Sequence, residues 1–126
     1  MPRIADYVVI SDKLFELSKL KDGGFQAERQ FHLGPDVHLG SQSILAFVLY
    51  VFDGAKNLAV RVKINGSTEY TATVTFNGSG ARFNSIHEVV SGGVLVHGTN
   101  TITFNATDGV GKYGFGDVVL FCQRDI

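Results

Sequence analysis

The stretch Ile44-Leu45-Ala46-Phe47-Val48-Leu49-Tyr50-Val51-Phe52 decides how the chain must fold. Every residue in it is apolar or aromatic, and the turn dipeptide Asp53-Gly54 ends it. It is far too short to cross a bilayer as a helix, which takes about 20 apolar residues. Its length and its β-branched and aromatic content predict a strand. Successive side chains of a strand point to opposite faces, so an unbroken apolar strand asks for cover on both. A second such run, Val118-Val119-Leu120-Phe121-Cys122, lies near the C-terminus.

Upstream of the central run, Ala5 to Ile10 is β-prone. Lys13 to Leu20 places Leu14, Leu17 and Leu20 near helical spacing, but the short length before Lys21-Asp22-Gly23-Gly24 favours a strand. Phe25 to Leu33 alternates loosely, and Gly34 to Ser43 is a loop punctuated by Gly, Pro, Asp and Ser. Downstream, Leu58 to Ile64 alternates cleanly, with Arg61 and Lys63 on the polar side. Asn65-Gly66 is a hairpin signal of type I′. Glu69 to Phe76 continues as its partner, with Thr71, Thr73 and Thr75 outward. Asn77 to Gly80 turns the chain into Ala81–Val90, a less regular strand. Gly92-Gly93 breaks that strand before a short apolar run, Val94 to Val96. After the turn His97-Gly98-Thr99-Asn100, Thr101 to Ala106 alternates again. Asp108 to Gly116 reads as a glycine-rich surface loop, and Asp117 to Gln123 closes the chain as a strand. Strands at roughly 8–12-residue spacing, without a long helical pattern or a fixed repeat, predict an all-β fold. The expectation is an antiparallel β-sandwich of jelly-roll type with about eight strands, forming a single domain over residues 1–126.

Composition bounds the partners. The 126 residues are 44% hydrophobic, enough for one core and too many for a disordered chain. A net charge of −1 leaves no basic field for nucleic acid. No Lys/Arg run or basic amphipathic helix points to a membrane surface. The single cysteine, Cys122, excludes a disulfide within the chain and reads as a small buried hydrophobe rather than a nucleophile. The segment MPRIADYVVISDK lacks the apolar stretch of a signal peptide, so the chain as written is expected in the cytoplasm, unless it is a mature or excised domain.

Three segments together carry a family resemblance: LAVRVKING from Leu58, GVLVHGTNTITFNATDG from Gly93, and GFGDVVLFCQ from Gly114. With Asn65-Gly66 closing one strand and Gly98-Thr99-Asn100 opening another, Leu58 to Gln123 resembles the galactose-binding-like jelly-roll superfamily, including its carbohydrate-binding modules. The resemblance implies a non-catalytic module that binds a glycan or another small ligand on its loops or concave face. Fold analogy alone does not settle function. Glycan-binding members often stack sugars on exposed Trp or Tyr, and this chain has no Trp. Tyr113, with Lys112 beside it in the glycine-rich segment, is the expected stacking and binding surface. Some members hold a structural calcium, for which Asp108 and Asp117 would supply carboxylates; no other cofactor is expected.

The remaining titratable residues carry weaker signals. His32, Asp36 and His38 lie close in sequence, but Gly34-Pro35 separates them and the spacing matches no zinc pattern. His87 and Glu88 are candidates for a ligand on the concave face. As neighbours in a strand they point to opposite faces and cannot easily act as one acid/base pair. The segment Gly109 to Gly116 is no phosphate cradle, because it lacks the Gly-Lys-Ser/Thr ending and a following helix. Three readings remain: a ligand-binding module; a self-assembling scaffold subunit, expected to be a homo-oligomer because the two apolar strands load the outer face of their sheet; and a small enzyme using His87 or Glu88. In the second reading, either another subunit or the N-terminal 20 residues would cover that face.

Overall fold

A computed structural model describes residues 2–19 and 26–125. Eight strands make up the described chain: β1 (Arg3–Ser11), β2 (Phe15–Lys19), β3 (Gln26–Leu33), β4 (Ile44–Phe52), β5 (Ala55–Ile64), β6 (Ser67–Phe76), β7 (Ala81–Val89) and β8 (Gly98–Asp125). All pairings among them are antiparallel. The expected all-β antiparallel sandwich is the fold observed. The central run is β4 with the bounds read from sequence. The short-strand reading of Lys13–Leu20 matches β2, while its end at Leu20, the break at Lys21–Gly24 and the start at Phe25 lie outside the described residues.

The strands form two layers. The front sheet runs β1 and β2 along one side of the second half of β8, then β4, then β7 at the far edge. The back sheet runs β3, the first half of β8, β5 and β6. Residues 98–110 of β8 pair with β3 and β5, and residues 111–125 pair with β1, β2 and β4. One strand therefore serves as an inner strand of both sheets.

This corrects the reading of Asp108 to Gly116 as a surface loop, for here the strand passes from one layer to the other. Lys112, Gly114 and Gly116 alternate with Tyr113 and Phe115, and only the latter two point into the core. The glycines are required by close approach rather than by mobility. Gly109 sits at φ +77°, and a Cβ there would stand 2.0 Å from the Asn57 carbonyl oxygen. At Gly111, φ is +142°, and a Cβ would stand 2.8 Å from Ala55 Cα. Only a residue without a side chain lets β8 bend this tightly against the start of β5.

The core fills the space between the layers with alternate residues of each strand: Leu45, Phe47, Leu49 and Val51 from β4, and Leu58, Val60, Val62 and Ile64 from β5. Phe104 from the first half of β8 and Phe115 from the second half meet with ring centroids 4.2 Å apart. Phe47 stands edge-on to both, at 6.0 and 5.5 Å. Phe15 of β2 closes the cluster against Phe104 at 5.3 Å, with the Arg29 guanidinium 4.7 Å above its ring.

On its outer face β4 is less covered than its composition predicts. Ile44 is exposed, and Ala46, Val48, Tyr50 and Phe52 are only half-buried. The described N-terminal residues do not lie over that face. They extend the front sheet edgewise as β1 and β2, because β8 offers them a free line of backbone donors and acceptors.

Replacing Gly109 with Ala is expected to destabilise the fold by about 3 kcal/mol, through left-handed strain and the clash with Asn57. Gly80→Ala, at φ +74° with nothing within 4 Å, is expected to cost only about 1 kcal/mol. Urea denaturation of the two variants checks the difference.

Candidate functional site

One end of the sandwich is built on two asparagines. Asn65 follows β5 at a left-handed φ of +49°, with its backbone N–H donating to the Thr101 carbonyl at 2.9 Å. Its side-chain oxygen accepts from Thr101 N–H at 2.9 Å, and its amide donates to the Val94 carbonyl at 2.9 Å and to Asn100 Oδ1 at 2.8 Å. Asn100 is fully buried. Its Oδ1 also accepts from Val96 N–H at 2.9 Å, while its amide donates to the carbonyls of Val96 at 2.9 Å and Gly98 at 3.3 Å. A buried amide is tolerable only when its polar atoms find partners, and this one ties the Asn65 turn, the 94–96 connection and the start of β8 together. The two turn signals noted separately in sequence are thus one structural unit.

This knot holds residues 94–96 as a connection with no strand of its own, and beside it opens a cleft. Leu39, Gly40, Ser41, Gln42 and Ser43 form one wall, and Val89, Val90, Ser91, Gly92, Gly93 and Leu95 the other, around about 480 Å³. The walls are joined by Val90 N–H donating to the Ser43 carbonyl at 2.9 Å. Ser91 N–H donates to Glu69 Oε1, and Ser67 Oγ donates to Glu69 Oε2, both at 2.6 Å, so β6 anchors the second wall. The first wall is anchored through Ser41. Arg3 donates to Ser41 Oγ at 2.6 Å and to His38 Nδ1 at 3.0 Å. Ser41 Oγ also lies 2.7 Å from His38 Nδ1 and donates to Gln123 Oε1 at 3.0 Å. A serine beside a histidine invites a nucleophile reading, but here a guanidinium donates to the same imidazole nitrogen. Among the described residues no carboxylate hydrogen-bonds that imidazole. This network fastens a loop.

The residues singled out in sequence do not converge. Tyr113 is fully buried, edge-on to Phe115 at 5.3 Å, so it offers no stacking surface. The sequence signal that could have shown this is the two-residue alternation of Lys112-Tyr113-Gly114-Phe115-Gly116, masked by its glycine density. Lys112 points outward, 3.0 Å from Glu16 Oε2 and 4.9 Å above the Phe52 ring. His87 is exposed on the outer face of β7, and Glu88 is half-buried on the inner side, where its charge acts on Tyr70. Asp108 accepts from Gly109 N–H at 2.8 Å in the back-sheet half of β8. Asp117 lies in the front-sheet half, exposed at φ +50° where the pairing with β4 shifts register. The transition between sheets lies between these two carboxylates along β8. His32 is exposed on β3, Asp36 lies 3.5 Å from Arg124 Nε, and His38 belongs to the Ser41 network. Among the described residues no three His, Cys, Asp or Glu side chains lie close enough to share a metal ion.

Burial governs the other ionisable groups. The Tyr113 hydroxyl is buried without a hydrogen-bond partner, and desolvation drives its pKa far above the ordinary 10.0. Tyr70 is raised by burial and, secondarily, by Glu88. Burial also raises Cys122, assisted by the charges of Asp6 and Asp36 and opposed by Arg124. A thiol held protonated in the core is inert.

No family model and no curated protein sequence matches this chain. Solved structures do. The fold matches a part of dimeric latent PorU from Porphyromonas gingivalis, with a TM-score of 0.68 at 10% identity over 94% of this chain. It matches a part of a β-porphyranase of glycoside hydrolase family 86 from Bacteroides plebeius, with a TM-score of 0.60 at 19% identity over 97%. A third match is an arabinose-bound α-L-arabinofuranosidase, MgGH51, at 0.54 and 14% over 94%. This chain spans only 13%, 21% and 22% of those three proteins. At such identities the likeness is one of fold, and it agrees with the β-sandwich that the sequence resemblance implies.

The raised pKa of Tyr113 makes stability depend on alkaline pH. The folded state favours the neutral phenol, so the stabilisation is complete below pH 10.0, the unfolded value, and declines as pH rises above it. Absorbance titration of the phenolates is expected to show Tyr113 ionising only together with alkaline unfolding. Cys122 is expected to resist a thiol reagent at pH 8 until denaturant is added; rapid labelling of the native protein would contradict its burial.

Proposed function

We propose that this chain is a non-catalytic ligand-binding module, and that its ligand is a saccharide of one or two rings held in the cleft between residues 39–43 and 89–95. The cleft itself carries this reading. Its volume of about 480 Å³ falls in the range of small-ligand sites, roughly 300–1,000 Å³. Its lining mixes the serine hydroxyls and the Gln42 amide with exposed glycine backbone and with Leu39, Val89 and Leu95. Hydroxyl and amide groups suit the alternating donors and acceptors of a sugar edge, and the aliphatic side chains suit its C–H face. Both walls are held by hydrogen bonds before any ligand arrives, which lowers the ordering cost of binding.

Two further observations support a binding role. Several carboxylates that might serve acid/base chemistry are engaged structurally: Glu16 with Lys112, Asp6 and Asp36 with Arg124, Glu69 with the second cleft wall, and Asp53 with Gly78 N–H. Two of the matched chains are glycoside hydrolases of which this fold forms about a fifth, the setting of an accessory module.

Nuclear magnetic resonance titration with a panel of mono- and disaccharides tests the proposal. Amide shifts confined to residues 39–43 and 89–95 are expected, with a dissociation constant of roughly 0.1–1 mM. Ser91→Trp, which fills the cleft from an exposed position, is expected to abolish the shifts without unfolding the protein. Absence of shifts across the panel at tens of millimolar would refute a saccharide ligand.

A further inference from the structure

The second wall of the cleft is placed by a break in the β5–β6 ladder. Val62 pairs with Tyr70 and the next residue, Lys63, with Thr68, so Glu69 is the extra residue of a β-bulge. Strict alternation would turn Glu69 to the outer face with Thr71 and Thr73. The bulge instead leaves Glu69 half-buried beside a half-buried Tyr70, with Thr68 and Thr71 exposed on either side. Re-aimed in this way, the carboxylate reaches the connection that follows β7. Its Oε1 accepts from Ser91 N–H and its Oε2 from Ser67 Oγ, both at 2.6 Å. Hydrogen bonds to an ionised carboxylate are short in this manner. Among the described residues, Glu69 pairs with no cation and is the one side chain that hydrogen-bonds residues 91–93. Gly92 and Gly93 are exposed, and a Cβ on either would meet nothing within 4 Å. The ties on either side are Val90 N–H to the Ser43 carbonyl and the Asn65 amide to the Val94 carbonyl.

We propose, on the saccharide reading of the cleft, that Glu69 is its positioning residue. From β6 it holds Ser91, Gly92 and Gly93 where a ligand meets them, and it sets affinity without touching the ligand. Glu69 does not line the cleft, and each of its oxygens already accepts a hydrogen bond. Its effect on a ligand therefore passes through Ser91. A segment with two adjacent exposed glycines has much conformational freedom to lose on binding. The carboxylate removes part of that freedom in advance, and it does so at the residue of the segment that carries a hydroxyl. A regular ladder at this point would leave that residue without a tether to β6.

Amide hydrogen exchange and saccharide titration of two variants test this. In Glu69→Ala the Ser91 N–H loses its acceptor. Its exchange is expected to quicken roughly tenfold or more, while the amides of β4 and β5 keep the rates of the unaltered chain. The dissociation constant for a saccharide that binds the unaltered chain is expected to rise roughly tenfold. Glu69→Gln keeps an acceptor for Ser91 and a partner for Ser67 Oγ without the charge, and is expected to return affinity to within about threefold of the unaltered chain. Should Glu69→Ala fail to fold, Glu69→Asp, too short to reach Ser91, repeats the comparison. Unchanged Ser91 exchange in the shortened variant overturns the proposal, and so does quickened exchange with unchanged affinity. If no saccharide binds the unaltered chain, the ligand reading fails by itself. Quickened Ser91 exchange then still supports the ordering of the wall by Glu69, and unchanged exchange overturns it.

Discussion

The structure depends on one strand packing against itself. The two halves of β8 lie in opposite layers, and Phe104 and Phe115, only eleven residues apart, face each other across the core at 4.2 Å. Both halves are inner strands, so five of the other strands take their register from β8. The sharp transition is sterically demanding. The glycines at 109 and 111 remove the side chains that would strike Asn57 and Ala55, and the aromatic cluster that forms as the layers close offsets the backbone constraint.

From this geometry the two outer faces acquire different characters. The back sheet turns Arg61, Lys63 and the threonines of β6 and β8 to solvent, the usual surface of a half-exposed sheet. The front sheet contains both apolar runs, β4 and the end of β8, as adjacent strands, so its outer face is apolar across neighbouring positions. The Asn65–Asn100 knot, at the end of the sandwich, is a different kind of specification. A fully satisfied buried amide fixes where the chain turns and holds the connection at 94–96 against the body. The cleft and the outer face of the front sheet meet at Val89.

Much of the fold was legible because strand patterning is local. Leu58, Val60, Val62 and Ile64 alternate with polar neighbours, and Asn65-Gly66 marks the hairpin without reference to anything distant. The failure at 108–116 has a physical cause. Glycines signal loops when the chain needs freedom, but the same residue is required where two backbones touch, and only the partner backbone distinguishes the cases. Tyr113 was misplaced for that reason: an aromatic flanked by glycines looks exposed until Gly114 and Gly116 prove to be the outward positions of a strand. The cleft left almost no sequence signal, since Ser41, Ser43, Ser91 and Gly92 are ordinary loop residues.

The amino-acid order by itself determined the β class, the bounds of the central strand, the hairpin at Asn65-Gly66 and the burial of Cys122, because each follows from side-chain alternation or from the preferred backbone angles of single residues. Only the tertiary structure decided that β8 belongs to both layers, that two asparagines thirty-five positions apart share a hydrogen bond, and that the N-terminal strands extend the front sheet without covering its face. Those outcomes depend on which backbone donors and acceptors meet across the chain, a property of pairs distant in sequence that no local pattern encodes.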